Sequence, residues 1–199
     1  LMPALESVLY SGHVTEGPKV AEFEAAFGSW LGTPNVVAVN SGTSALQLAL
    51  RLAGVRGGEV ISTPVTCAAT NLAILAEGAR VVWADVDPAT GNIDPDSVRR
   101  KVTKDTRAIM CVHWGGQPCD MAGLAAISRH DIPLIEDAAH ALGAEWAGYK
   151  VGAGTAWFTA FSLQAIKHVT TVDGGILTTW RKADHQRARR LRWYGLDRG

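Results

Sequence analysis

The strongest constraint on the fold is a change of period that recurs along the whole chain. Short apolar runs alternate with segments whose apolar residues recur at helical spacing. In residues 20–31, Val20, Phe23, Phe27, Trp30 and Leu31 share one helical face, and Gly32 stops the pattern. Residues 36–39, Val-Val-Ala-Val, read as a buried strand. A helix over 44–52 carrying Leu46, Leu48, Leu50 and Leu52 comes next, then a strand over 59–63, a helix over 68–76 and a strand over 80–86. Asp94-Pro95 opens a short helix over 94–101. A strand over 106–112, a helix over 121–130 and strands over 133–137, 158–163 and 176–180 complete the series. Strands joined through helices of about 10–15 residues make βαβ units. The expected fold is therefore α/β: one large domain over 1–199, with a mainly parallel central sheet and helices on both faces.

Such a sheet needs a large apolar core, and 47% of the 199 residues are hydrophobic. Nineteen basic residues balance nineteen acidic ones, which excludes a general electrostatic pull toward nucleic acid or a membrane. The basic run Arg187-Ala188-Arg189-Arg190-Leu191-Arg192 is local and reads as a solvated helix face. Cys67, Cys111 and Cys119 are odd in number and lack CxxC spacing, so a disulfide framework or zinc site is not expected. A reducing compartment fits them, and the cytoplasm is the expected location. No apolar run reaches the roughly 18 residues of a membrane helix, and no signal-peptide pattern opens the chain. The chain starts at Leu1 and stops at Gly199 just after a helix, so a piece of a longer protein is expected.

In open α/β sheets, ligands sit outside the carboxyl ends of the strands. After the first strand come Asn40-Ser41-Gly42-Thr43-Ser44, opening a helix. That turn reads either as an ordinary capped turn or as a phosphate seat made by small residues and a helix N-terminus. It is neither a Walker loop nor G-x-G-x-x-G, which argues against a Rossmann-type NAD protein. Asp137 ends the strand over 133–137 and is succeeded by Ala138-Ala139-His140. It reads either as a cap for the next segment or as a carboxylate facing a ring nitrogen. Ser162 and then Lys167 come at the end of the strand over 158–163, before Gly174-Gly175. A lysine between two buried strands either reaches solvent from a strand end or is buried, and a buried ammonium must be paired, neutralised or bonded. The covalent option is attack of a desolvated amine on an aldehyde. One cofactor uses all these parts: pyridoxal phosphate needs a lysine for its aldehyde, a carboxylate for its pyridinium nitrogen and a cup for its phosphate.

The ordered set of segments resembles the DegT/DnrJ/EryC1/StrS sugar aminotransferases. It comprises Val39-Asn40-Ser41-Gly42-Thr43-Ser44-Ala45-Leu46, Glu136-Asp137-Ala138-Ala139-His140, and Phe161-Ser162 through Lys167 to Gly174-Gly175. The stretch Gly12 to Phe23 and the turn Gly116-Gln117-Pro118-Cys119-Asp120-Met121 resemble the family as well. The resemblance implies the large domain of the pyridoxal-phosphate-dependent fold type I, without the carboxy-terminal small domain, and a homodimer. It implies that Lys167 bonds the cofactor and moves protons, and that Asp137 pairs with the ring nitrogen. Gly42, Thr43 and Ser162 would hold the phosphate with Ser44 close by. His140 would stand near the phenolic oxygen or be a packed histidine. The implied reaction moves an amino group from an amino acid, glutamate by analogy, to a nucleotide-linked keto sugar.

Two departures from the family pattern stand out. Cys67 occupies a position where many relatives have an aromatic residue stacked on the ring, and Val172-Asp173 replaces the more usual Gly-Glu, which should change the turn because valine tolerates positive φ poorly. His13, Thr15 and Glu16 lie in a stretch like the family's substrate-side loop. His113, at a strand end, either faces the pocket or packs in the core. A sugar dehydratase has a histidine in place of the lysine, and Lys167 argues against that reading. Intact Lys167 and Asp137 argue against a non-catalytic regulator on the same scaffold.

Overall fold

A computed structural model describes residues 2–128 and 132–196. Its centre is a seven-stranded sheet of order β1-β9-β8-β5-β4-β2-β3. The strands are β1 (Val36–Val39), β2 (Glu59–Ser62), β3 (Arg80–Trp83), β4 (Thr106–Val112), β5 (Leu134–Asp137), β8 (Phe158–Ser162) and β9 (Gly175–Thr179). All run parallel except β9, which is antiparallel to both β1 and β8. A small hairpin, β6 (Glu145–Trp146) with β7 (Tyr149–Lys150), stands apart.

Alternate residues of each strand enter opposite faces, as the period of two requires. Val37, Val60, Met110, Ile135, Ala160 and Leu177 pack with α3 (Gly42–Leu52), α4 (Ala68–Ala76) and α7 (Lys182–Arg192). Ile61, Ile109, Cys111 and Leu134 pack on the other face with α5 (Pro95–Lys101) and α6 (Met121–Ile127). Val36, Phe161 and Ile176 extend that second face under α2 (Pro18–Leu31). The expected parallel sheet covered on both faces is therefore present.

Local chemistry sets the helix ends. Pro18 starts α2, and Gly32 ends it at φ 94 while its N–H donates to Gly28 O at 2.8 Å. Asp94 caps α5 by accepting from the N–H groups of Asp96 and Ser97, and Asp120 caps α6 by accepting from Gly123 N.

Some expected boundaries move. The strand expected over 80–86 stops at Trp83, because it is an edge strand and the chain turns off after Ala84 donates to Ser62 O; Val86 keeps only an isolated bridge to Ile93. The helix expected to reach residue 130 runs Met121–Ile127, and its last expected residues lie outside the described ones. Helix α1 (Met2–Tyr10) buries no residue, so no core-facing periodicity announced it. In α7 the basic run is not wholly a solvated face. Ala188 is buried and Arg192 turns inward, pairing with Glu16 and Glu24 and donating to Ala38 O at 3.0 Å.

Candidate active site

The carboxyl ends of β1, β4, β5 and β8 open on one cavity of about 450 Å³ on the α3/α4 side of the sheet. Gly42, Thr43, Asp137, His140, Ser162 and Lys167, separated by up to 125 positions (167 − 42) in the chain, all line it. Ser44 stands one step behind. Its N–H donates to Ser41 Oγ at 3.1 Å and its Oγ accepts from Ser41 Oγ at 3.0 Å, so it serves the cap of α3. Its own exposed side faces a neighbouring, larger cavity of about 750 Å³, shared with Thr15, Glu16, Arg51 and Arg192. His13 is exposed and sits against Gly17.

Close packing shapes the β1–α3 turn. A Cβ on Gly42 would stand 2.9 Å from Ser162 Cβ, and one on Gly175 would stand 2.3 Å from the Ser41 carbonyl carbon and oxygen. Gly175 thus lets β9 pass directly behind the turn, and Gly42 lets the turn close onto Ser162. The first-turn N–H groups of a helix have no intrahelical partner, and the macrodipole adds positive potential there, so this cradle suits a phosphate.

Asp137 is 6% exposed at the end of β5. One carboxylate oxygen, Oδ1, accepts from Ala139 N at 3.1 Å, and the other, Oδ2, accepts from Thr70 Oγ1 at 2.7 Å. Thr70 in turn lies 2.7 Å from Thr66 Oγ1. Neither threonine was singled out in the sequence. Nothing local marks a hydroxyl just inside α4 as the partner of a carboxylate 67 positions away.

Lys167 is half-buried, not enclosed between strands. It rides on the connection between β8 and β9, where its N–H donates to Gln164 O at 2.8 Å. Leu163 O anchors the loop by accepting from Thr170 Oγ1 and Thr171 N, both at 3.0 Å. The same loop puts Val172 at φ 75, so the Val-Asp substitution does impose a left-handed valine. His140 is a partly buried imidazole whose ring centre lies 5.9 Å from that of Trp114. Burial first, and then the positive charge of Lys167, lower its pKa below the ordinary 6.5, while Asp137 pulls the other way.

His113 belongs to the core. It is fully buried, accepts from Cys119 N on Nδ1 at 3.0 Å, and brings Nε2 to 3.4 Å from Glu136 Oε1. The hydrogen bond from Cys119 leaves the ring hydrogen on Nε2, facing that carboxylate. Cys67 is exposed at the start of α4 and lines the cavity without a side-chain capping bond. Among the described lining residues, the imidazole of His140 is the one aromatic ring. Among the described residues there is also no metal-binding cluster, and no helix is long and apolar enough to cross a membrane.

An anion cradle, a buried carboxylate held by two donors and a primary amine around one cavity match the three handles of pyridoxal phosphate: phosphate, protonated ring nitrogen and aldehyde. The fold, a mainly parallel sheet with helices on both faces, is that of the pyridoxal-phosphate-dependent fold type I. The model of the DegT/DnrJ/EryC1/StrS aminotransferase family matches residues 1–199, and the chain belongs to that family. Pyridoxal phosphate is the family's cofactor. The chain is 42% identical over 193 residues to the spore coat polysaccharide biosynthesis protein SpsC of Bacillus subtilis, covering 96% of this chain and 49% of SpsC. The crystal structure of the sugar aminotransferase CalS13 from Micromonospora echinospora superposes with a TM-score of 0.92 at 44% identity, covering 97% of this chain and 55% of CalS13. The structure of DesI in the presence of its TDP-sugar product gives 0.86 at 39% identity, covering 92% and 47%. The chain thus spans about half the length of the relatives it matches.

Proposed function

We propose that residues 1–199 form the cofactor-binding large domain of a pyridoxal-phosphate-dependent sugar aminotransferase. The observation that carries this reading is the convergence of Lys167, Asp137 and the Gly42–Ser162 cradle on one cavity. The cofactor supplies an aldehyde and a ring that withdraws electrons from a bonded carbon. Gly42, Thr43 and Ser162 hold its phosphate, with Ser44 fixing the turn through Ser41. Asp137 would accept a hydrogen bond from the ring N–H and so favour the protonated, positively charged nitrogen. The Nζ amine of Lys167 would hold the cofactor through its aldehyde and would serve as the acid and base that moves protons in the site. His140, held toward its neutral form, would help orient the cofactor from beside its phenolic oxygen.

The proposed donor is glutamate and the proposed acceptor a nucleotide-linked keto sugar. The sugar-nucleotide product bound by DesI and the sugar aminotransferase CalS13 support this choice. We place the enzyme in the cytoplasm, in keeping with its free thiols. We infer a homodimer, in which a partner would cover the exposed apolar side chains of Ile166 and Val169 beside Lys167, 84% and 51% exposed. The test is a panel of nucleotide keto sugars with glutamate on the intact protein, read as 2-oxoglutarate and amino sugar formed. Turnover with at least one sugar and a steep loss in Asp137→Asn are expected. No turnover across the panel, or full turnover in Asp137→Asn, would overturn the reading.

A further inference from the structure

Thr70 is fully buried on α4, with its hydroxyl 2.7 Å from Asp137 Oδ2. A hydroxyl has one proton, and a carboxylate can only accept, so Thr70 must donate to Asp137. The 2.7 Å contact between Thr66 and Thr70 then has one possible sense: Thr66 donates and Thr70 accepts. Both protons point along the same line toward the carboxylate, and each bond polarises the next. Thr66 lines the cavity with its proton already committed.

We propose that Thr66 and Thr70 form a polarised two-hydroxyl relay that fixes the Asp137 carboxylate and keeps its negative charge in place opposite the cofactor's ring nitrogen. The relay rests on the proposed pairing of Asp137 with that nitrogen. Between a ring nitrogen and a carboxylate, one proton has two possible homes. Donors on the carboxylate oxygens stabilise the anion and leave that proton on nitrogen. Ala139 N–H serves Oδ1 and the relay serves Oδ2, so each oxygen carries one fixed donor and keeps lone pairs for the cavity. Thr66 and Thr70 are positioning residues, since they act through Asp137.

The experiment uses the intact protein loaded with pyridoxal phosphate labelled with nitrogen-15 in the ring, and reads the ring-nitrogen chemical shift at neutral pH. His140, Lys167, Asp173 and Cys67 face the same cavity and are common to all variants, so differences report the relay. The wild-type protein is expected to show a protonated ring nitrogen. Thr70→Val, and Thr70→Ala as a second hydroxyl-free variant should valine not fold, are expected to lower the protonated-to-unprotonated ratio roughly tenfold, the worth of one bond to a charged group. Thr70→Ser should restore the wild-type shift, and Thr66→Val should move it the same way by less. Wild-type shifts in both hydroxyl-free variants, or a serine variant displaced as far as valine, would overturn the relay. An unprotonated signal in the wild-type protein, or one that Asp137→Asn leaves unchanged, would refute the role of Asp137 and the relay with it.

Discussion

Replacing Val172 with glycine should stabilise this protein, although it removes a side chain and loosens the unfolded chain. Val172 sits at φ 75 in the loop that carries Lys167, and it is 80% exposed. A left-handed conformation costs an L-residue about 1–2 kcal/mol, and a β-branched one lies toward the roughly 3 kcal/mol end of strained positions. Glycine removes that cost but returns about 0.5–1 kcal/mol through the entropy of the unfolded chain. Full burial of a valine is worth about 1.5–3 kcal/mol, so a mostly exposed one forfeits about 0.5 kcal/mol. The balance is a net gain of about 1.5–2 kcal/mol, or about 3–8 °C in melting temperature for a domain of this size. Differential scanning calorimetry of the cofactor-free protein measures it. Val172→Ala is the control, because alanine sheds the β-branch but keeps the Cβ, so it should gain clearly less than glycine. A glycine variant melting below wild type, or an alanine variant gaining as much as glycine, would refute the argument from backbone strain.

The site's geometry carries two more expected outcomes. Gly175→Ala puts a carbon 2.3 Å from the Ser41 carbonyl and 2.6 Å from Gly42 N, backbone atoms with little room to yield. It should cost about 1–3 kcal/mol or more and release the cofactor on dialysis, read by absorbance, whereas unchanged retention would show that the turn can shift. His140 has a lowered pKa in the folded state, so below about pH 6.5 the unfolded chain binds its proton first and stability falls with pH. Denaturant unfolding at about pH 7.5 and about pH 5.5 should show a smaller loss in His140→Gln than in wild type. His185, lowered by burial as well, keeps part of that loss in place.

The fold was legible because nearly every buried strand carries a strong local signal. Val36–Val39, Thr106–Val112 and Leu134–Asp137 are short apolar runs bounded by polar turns, and their order between helices implies parallel pairing. The reversal of β9 was not legible, because an apolar run has the same pattern in either direction. The candidate site residues are legible where a strand end names them, as with Asp137 and Ser162, which line the same cavity. For Lys167 the sequence leaves open a strand-end lysine reaching solvent or a buried one, and the β8–β9 connection holds it half-buried. Thr66 and Thr70 carry no local signal, because their meaning lies in the contact between α4 and the end of β5. His113 resolved as a core residue once its acceptance from Cys119 N fixed where its ring points.

The identity of the amine that holds the cofactor is the most direct point of attack. The intact protein should be loaded with pyridoxal phosphate, reduced with borohydride, digested and mapped by mass spectrometry. A phosphopyridoxyl mass on the peptide bearing Lys167, lost in Lys167→Ala, is the predicted result. A label on another lysine, or none at all on a protein that has bound the cofactor, would contradict it.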